Sequence, residues 1–443
     1  MNANAILGWV KSHLVIVVCS VLILVLLPVG WIFSNGWTRT ILEDRKKEVE
    51  EERRRLTQAE SVTYVVPPLL PGEQAIEHRA APNPVLTTFF QRVRSERASQ
   101  ADAVLDDAIR FNRGGDDPFE PLVDGLFPTP SSADPAQERR LTIQMARALA
   151  GDFRGQEPAY RALFEEAGAG SPPDPADVQA TMARVQELAV AQQSAEAGQG
   201  GAENPVDDAV RAARIAAYAQ RARQISFYAD PQESLGQGIR YPRSSVGAVF
   251  TLDQAFEWQL DYWLVEMILD AVSLANTPGS GLPGGVPDNP IKRVLLIDAQ
   301  PPVVADPGGD DFGYGRTQPQ TPTQNASHTG RSSSSAEDPY IVRDVDLSLV
   351  VASDDLVRVI EAFGRSNFIT VTGVRISDRD EWQDLSAGYF YGDEHVVRLD
   401  LDLETIWLKS WLAEFAPPQT RERLGLPEPE TDPEAAQSSA AAF

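Results

Sequence analysis

The stretch that decides the fold is residues 251–276, TLDQAFEWQLDYWLVEMILDAVSLAN. Thr251 and Gln254 have the spacing of a capping box, in which each side chain accepts a hydrogen bond from the other residue's backbone N–H. They predict a helix that runs to about Asn276. Apolar side chains form two stripes about 200° apart around the helix axis, so both faces must be covered. The first stripe is Phe256, Leu260, Trp263, Met267 and Leu274; the second is Trp258, Tyr262, Val265, Leu269 and Val272; Asp253, Glu257 and Asp261 lie in the narrow polar strip between them.

On the C-terminal side of this helix the apolar pattern changes to a period of two, which indicates β-strands. The predicted strands are 293–299, 345–351, 368–377 with a bulge at Gly373, and 397–404; a shorter strand is predicted at 225–228. An amphipathic helix from about residue 353 separates the second long strand from the third. The order helix-strand-strand-helix-strand-strand predicts an α+β domain over 225–416. In it, two antiparallel hairpins form one sheet and both helices cover its apolar face.

The residues before this domain are predicted to be helical. Asn83, Asp174 and Asn204 each precede a proline, and an N-cap followed by proline at the first helical position is a helix-start signal. The region 83–224 therefore reads as helices, with no clear strand pattern. A Pro-rich linker is expected over 67–82 and a charged helical stalk over 34–66.

The N-terminal part has the composition of a membrane anchor. After a short segment, 1–13, about 20 uncharged residues at 14–33 would span roughly 30 Å as a helix. The alternative is a cleaved signal peptide, but Pro28 to Trp31 make a poor cleavage site. We therefore expect a transmembrane helix. The Lys and Arg counts alone would leave the large part of the chain in the cytoplasm, but these basic residues alternate with acidic ones, so the orientation stays undecided.

Leu42, Val49 and Leu56 repeat every seven residues along the stalk. The other position of the seam holds Lys46 and Arg53, so the repeat makes half of a coiled-coil seam. A solvated single helix and a stalk that pairs with another helix are both consistent with this pattern.

Two segments are low in apolar residues and are expected to be disordered. One is an insertion at 305–338, between the first two long strands, and the other is the tail at 417–443.

Composition excludes several functions. The 443 residues carry a net charge of −25, which disfavours nucleic acid as a partner. The single cysteine, Cys19, excludes an internal disulfide and a four-cysteine zinc site. The four histidines are far apart in sequence and no nucleophile or phosphate-binding motif is present, so we expect no catalytic residue, cofactor or metal. Asp400, Asp402 and Glu404 share one strand face, which we expect to be solvated.

The order of a short N-terminus, an apolar helix, a charged stalk and an αββαββ unit resembles the PilO and GspM family. The resemblance is sharper to divergent PilO-like, pilus-associated proteins of verrucomicrobial and planctomycete-type bacteria. It covers residues 225–408 and the membrane anchor. It is carried by QISFYADPQESLGQGIRY, LDQAFEWQLDYWLVEMILDAV, IKRVLLIDAQ, DVDLSLVVASDDLVRVIEAFGRSN, FITVTGVRISDRDE and HVVRLDLDLETIWL. The chain departs from the family in its large helical region, 84–224, and its insertion.

The resemblance implies a ferredoxin-like domain of circularly permuted order and no enzymatic activity. It also implies a single-pass protein of the inner membrane with most of the chain in the periplasm. Its place would be in the assembly platform of a type IV pilus or type II secretion machine. The partner would be PilN-like or a second copy, forming a hetero- or homodimer, with PilM-, PilP- or secretin-type components as further partners.

We therefore expect a non-enzymatic structural component that pairs through its stalk and its C-terminal domain. The expected interface residues are Trp258, Tyr262, Val265, Leu269, Val272, Leu42, Val49 and Leu56. The alternative for the second stripe of the 251–276 helix is that it packs under the chain's own helices. The alternative function is an envelope sensor or ligand-binding protein, which predicts a concave pocket with convergent polar groups. A membrane-tethered hydrolase is a third hypothesis.

Overall fold

The computed structural model describes residues 14–59, 61–66, 68, 74–128, 134–151, 157–195, 205–243, 250–277, 284–301 and 338–428. The chain divides into two compact units, Met1–Leu105 and Asp106–Phe443. The helices are α1 (Leu14–Ala59), α2 (Pro84–Asn112), α3 (Pro135–Ala150), α4 (Ala159–Glu166), α5 (Pro175–Ala195), α6 (Pro205–Ala222), α7 (Pro231–Ser234), α8 (Leu252–Asn276), α9 (Leu356–Ser366), α10 (Glu381–Ser386), α11 (Lys409–Phe415) and α12 (Pro418–Leu424). The strands are β1 (Val62–Val66), β2 (Ile76–Ala80), β3 (Ala169–Gly170), β4 (Phe227–Tyr228), β5 (Ile291–Ala299), β6 (Tyr340–Ala352), β7 (Ile369–Asp378) and β8 (Val396–Leu408).

The N-terminal unit begins with α1, a continuous helix of 46 residues. No helix in the described part of the chain is long and apolar enough to cross a bilayer. The transmembrane helix predicted over 14–33 is therefore not supported.

A hairpin follows α1, where the sequence indicated stalk and linker. β1 and β2 pair antiparallel, with Val62 opposite Ala80 and Val66 opposite Ile76. The ring of Tyr64 stacks on that of Phe90 in α2, with ring centroids 5.0 Å apart. The helix of the expected stalk, 34–66, thus ends at Ala59 and is followed by β1, and residues 76–80 of the expected linker, 67–82, form β2. Five-residue strands next to prolines are too short for a convincing period-two signal.

The C-terminal unit contains a six-stranded mixed sheet in the order β3-β4-β5-β6-β8-β7. β3, β4 and β5 are mutually parallel, and the four long strands pair antiparallel. The α+β class, the four long strands and the short strand at 227–228 are confirmed. The predicted bulge is also confirmed, because the register between β7 and β8 shifts between Val371 and Gly373.

Helix α8 lies at the centre of the core. The capping box between Thr251 and Gln254 is present, and the helix ends at Asn276 as predicted. In the first stripe, the Trp263 ring contacts Trp411 of α11 at a centroid distance of 5.5 Å. In the second, the Tyr262 ring lies 5.6 Å from that of Tyr160 in α4. The chain itself therefore covers both faces of α8.

The C-terminal tail is structured for part of its length, which corrects the expectation of disorder from residue 417. Pro418 starts α12, and Thr420 and Leu424 of this helix are buried. Thr420 donates from its hydroxyl to Oδ1 of Asp253 at 2.5 Å. Residues 429–443 lie outside the described part of the chain, as do the helix-start signal at Asn204 and the predicted insertion up to residue 337.

Candidate functional site

The predicted interface residues on α8 are part of the core. Val265, Leu269 and Val272 are at most 1 % exposed, and Trp258 packs edge-on against Phe250. Helices α3 and α4 of the preceding region contact α8. This corrects the prediction of a partner surface: the second stripe packs under the chain's own helices, which was the alternative.

The predicted interface residues on α1 are exposed. Leu42, Val49 and Leu56 have 63 %, 64 % and 68 % of their surface accessible. They lie on one uninterrupted helix at intervals of seven residues. Among the described residues these three side chains form a regularly spaced apolar stripe open to a partner.

The edge strand β7 is a further exposed surface that the sequence analysis did not identify. It is the last strand of the six-stranded sheet, so the backbone N–H and C=O groups on its outer edge have no neighbouring strand among the described residues. Val374 and Ile376 on this strand are exposed, and so is Trp382, which follows in α10. A sequence signal was present, because the apolar alternation of β7 changes phase at Gly373, from Ile369 and Val371 to Val374 and Ile376.

A chain of ion pairs joins α8 to three other segments. Asp261 accepts from Arg343 of β6 at 2.6 Å and from the backbone N–H of Arg240 at 2.9 Å. Glu257 accepts from Arg240 at 3.0 Å and lies 2.6 Å from Nη1 of Arg423, just before the end of α12. The polar strip of α8 thus holds the segment at 240 and helix α12 in place. The only sequence signal for these ion pairs was the presence of carboxylates within an apolar helix. Their arginine partners could not be predicted, because they lie far away in sequence.

A second group of carboxylates on α8 has no such arginine partner among the described residues: Glu266 is half-buried, and Asp270 lies one turn further on with an exposed side. Burial, followed by the charge of Asp270, raises the pKa of Glu266 to about 8. Burial, followed by the charge of Asp117, raises the pKa of Asp270 to about 6. Oε2 of Glu266 has no hydrogen-bond partner among the described residues. This group therefore opposes folding when it is ionised.

The outer face of the sheet is partly ion-paired, in contrast to the expected solvated strip. Asp402 receives two hydrogen bonds from the Arg375 guanidinium, at 3.0 and 3.2 Å. Asp400 accepts from the Ser348 hydroxyl and from Nε of Arg398. Glu404 is fully buried. The described residues contain no group of His, Cys, Asp and Glu side chains arranged to hold a metal ion.

A cleft of about 990 Å³ lies in the C-terminal unit. We call it the arginine cleft, because Arg161, Arg221 and Arg243 line it. Tyr160, Tyr241 and Phe164 supply aromatic surface, and β3 contributes the edge of the sheet. The Tyr160 and Tyr241 rings lie 5.0 Å apart. Burial raises the pKa of Tyr160, which keeps its hydroxyl neutral.

The three arginines of the cleft differ in their partners. Arg161 lies 3.0 Å from Glu157 and 3.4 Å from Glu165, so its charge is compensated. Nε of Arg221 donates to the backbone oxygen of Ser171 at 3.0 Å. The Arg243 guanidinium lies 5.7 Å from the centre of the Tyr241 ring. Within the described ranges, neither Arg221 nor Arg243 has a carboxylate within salt-bridge distance, so the cleft is suited to an anionic group.

Comparisons with known proteins give no family assignment. No protein-family model and no curated protein matches the chain. Solved structures from Akkermansia muciniphila match at low similarity. A crystal structure has 10 % identity over 64 % of this chain and 97 % of that one, with a TM-score of 0.21. A structure without its transmembrane region has 8 % identity over 59 % of this chain and 96 % of that one, with a TM-score of 0.21. A core-domain crystal structure has 9 % identity over 56 % of this chain and 97 % of that one, with a TM-score of 0.20. TM-scores of this size carry no argument about fold or function.

Proposed function

We propose that the chain is a non-enzymatic structural component of a type IV pilus or type II secretion assembly platform. The observation that carries the proposal is the exposed stripe of Leu42, Val49 and Leu56 on one continuous helix. A long helix with a regularly spaced apolar seam gains stability by pairing with another helix. The proposed partner is PilN-like or a second copy, and PilM-, PilP- and secretin-type components are proposed as further neighbours.

The proposed pairing module is a ferredoxin-like domain of circularly permuted order. Moving the first strand of a β-α-β-β-α-β unit to its end gives the order α-β-β-α-β-β. Helices α8 and α9 with strands β5 to β8 follow this order, apart from short helical segments. The last strand, β8, lies between β6 and β7, where the transferred strand of such a unit is expected. The open edge of β7 is the surface of this domain that we propose for pairing.

We propose an inner-membrane location with most of the chain in the periplasm. The support is the exposure of apolar side chains such as Val15 and Leu24 in α1. Membrane fractionation and a reporter fused to the C-terminus test this placement. Recovery of the full chain in the soluble fraction contradicts it.

Deletion of the gene in its native host tests the function. We expect loss of surface pili or of a secreted substrate, restored by the wild-type chain. A variant with Leu42, Val49 and Leu56 replaced by Ser should restore it poorly at equal protein level. The matched control replaces Val85, Val104 and Leu188, which are exposed apolar residues of α2 and α5, by Ser. Normal piliation and secretion in the deletion strain contradict the proposal.

The second candidate function is an envelope ligand-binding protein, and the arginine cleft favours it. A cleft of this size, with aromatic walls and two guanidinium groups that have no carboxylate partner among the described residues, has the features of a binding site. The two candidates differ in what the cleft variants do. Arg221→Ala with Arg243→Ala should leave pilus assembly or secretion intact if the chain is a scaffold, and should abolish the response if it is a receptor.

A further inference from the structure

The arginine cleft carries positive charge in a strongly acidic chain. Of its charged groups, Arg161 is compensated by two glutamates, and Asp230 is engaged as the N-cap of α7 through a bond from Gln232 at 2.8 Å. Arg221 and Arg243 have no carboxylate partner in the described part of the chain. An acidic segment that reached the cleft would meet one half-buried and one exposed guanidinium group, and carboxylates form charge-assisted hydrogen bonds with such groups.

The cleft also offers an aromatic wall. The half-buried Tyr241 ring contacts the Tyr160 ring and the Arg243 guanidinium. Aromatic-lined grooves bind proline-containing segments well, because proline restricts the backbone before binding and so less entropy is lost. The chemistry that fits the cleft is therefore an extended segment that contains both prolines and carboxylates.

The chain contains such a segment directly after its last described helix. Residues 427–434 read PEPETDPE, with carboxylates at Glu428, Glu430, Asp432 and Glu434. Proline occupies 427, 429 and 433. The segment matches the cleft in charge and in residue type.

The position of α12 brings this segment within reach. Arg423 of α12 and Arg240 both contact the Glu257 carboxylate, at 2.6 and 3.0 Å. Arg243 follows Arg240 by three residues, so its Cα is at most about 11 Å farther along the chain. Leu426 packs against the core, and eight extended residues beyond it span roughly 26 Å. The shared contact with Glu257 places the start of the segment on the side of Arg240, next to Tyr241 and Arg243 of the cleft.

We propose that residues 429–434 dock in the arginine cleft of their own chain. Carboxylates of the segment bind Arg221 and Arg243, and a proline packs on Tyr241. The cleft is then an internal docking site, and an external acidic partner has to displace the segment. This inference is independent of the proposed role in a pilus or secretion platform.

The test uses a fluorescent peptide of residues 426–436 and the chain truncated after Leu426. Fluorescence anisotropy should show binding to the truncated chain that weakens with added salt. The full-length chain should bind the peptide at least tenfold more weakly, because its own segment competes. Arg221→Ala and Arg243→Ala in the truncated chain should each weaken binding by at least fivefold. The matched control is Arg365→Ala, an exposed arginine of α9, which should leave binding unchanged.

Charge exchange keeps the test decisive if an alanine variant folds poorly. Arg243→Glu should lose the wild-type peptide and gain a peptide in which the acidic residues are replaced by Lys. Three results overturn the proposal: no binding of the wild-type peptide to the truncated chain, equal binding by the full-length chain, or binding that the arginine variants do not alter. Equal binding by both chains would assign the cleft to acidic segments of other proteins instead.

Discussion

Nη2 of Arg343 donates to Oδ1 of Asp261 at 2.6 Å, and neither side chain is more than 1 % exposed. This pair joins the central strand β6 to the polar strip of α8. The rest of the Arg343 guanidinium is also bonded, with Nη1 donating to the backbone oxygen of Leu260 at 3.3 Å. The two charges are removed from water together, and each depends on the other.

We predict that Arg343→Leu destabilises the chain by about 3–5 kcal/mol, because it leaves the Asp261 carboxylate buried with less compensation. Urea unfolding followed by tryptophan fluorescence measures the change. Replacing both Arg343 and Asp261 by Leu should cost less than the sum of the two single changes. Arg365→Leu, at an exposed pair, should change stability by less than about 0.5 kcal/mol. Equal effects of Arg343→Leu and Arg365→Leu contradict this assignment.

Asn112, the last residue of α2, is a second buried polar centre. Its Nδ2 donates to Asn367 at 3.0 Å and to the backbone oxygen of Ile406 at 2.7 Å. Its Oδ1 accepts from the backbone N–H of Leu408 at 2.8 Å and from the indole of Trp411 at 2.9 Å. One side chain thus satisfies groups from three other segments.

Asn112→Ala should therefore lower the unfolding free energy by roughly 3 kcal/mol or more, since several buried groups lose their partner at about 1–3 kcal/mol each. Chemical denaturation measures it. The control is Asn83→Ala, which removes a single cap bond to Val85 at 2.9 Å and should cost about 1 kcal/mol. A cost for Asn112→Ala no larger than the control would be inconsistent with the bonding described.

Glu266 should make stability depend on pH. Its pKa rises from an ordinary value of 4.5 to about 8 on folding, so the folded chain binds an extra proton between these values. Its contribution is most favourable below pH 4.5 and is lost as the pH rises to about 8. Glu266→Gln should match the wild type near pH 4.5 and be more stable by about 1–3 kcal/mol at pH 8 to 9. Thermal melting across this range, with the exposed Glu187→Gln as control, checks the prediction; a pH-independent difference contradicts it.

The second stripe of α8 and the stripe of α1 should respond differently to truncation. Leu269→Ala opens a cavity in the core and should cost about 2–5 kcal/mol. Val49→Ala removes an exposed side chain and should leave the unfolding free energy within about 0.5 kcal/mol. The midpoints of urea unfolding compare the two variants. If Leu269→Ala did not lower the unfolding free energy, the assignment of this face of α8 to the core would be contradicted.

The sequence predicted helix starts and strand irregularities correctly where the residues that determine them lie within a few positions of each other. The capping box at Thr251, the N-cap at Asp174 and the bulge at Gly373 are all present. The pairing of Arg343 with Asp261 and the bonds of Asn112 to residues near 367 and 408 were not predicted. These contacts join residues far apart in sequence, and their geometry depends on the packed core.

The two-faced pattern of α8 shows a further limit of sequence reasoning. The pattern required cover on both faces, and both faces are covered. It did not say whether the cover is a partner or the chain's own helices, because the apolar period is the same in either case. The choice depends on α3 and α4, whose packing against α8 has no signature in the 251–276 stretch.

Cysteine cross-linking along α1 in native membranes tests the central claim most directly. In a Cys19→Ser background, single cysteines are placed at 42, 49 and 56, and at the control positions 44, 51 and 58, which lie about 160° away around the helix axis. We predict disulfide-linked pairs, with a second copy or with a partner that carries a matching cysteine, at 42, 49 and 56 and much less at the controls. Equal or absent cross-linking at the two sets of positions would contradict a pairing role for this helix.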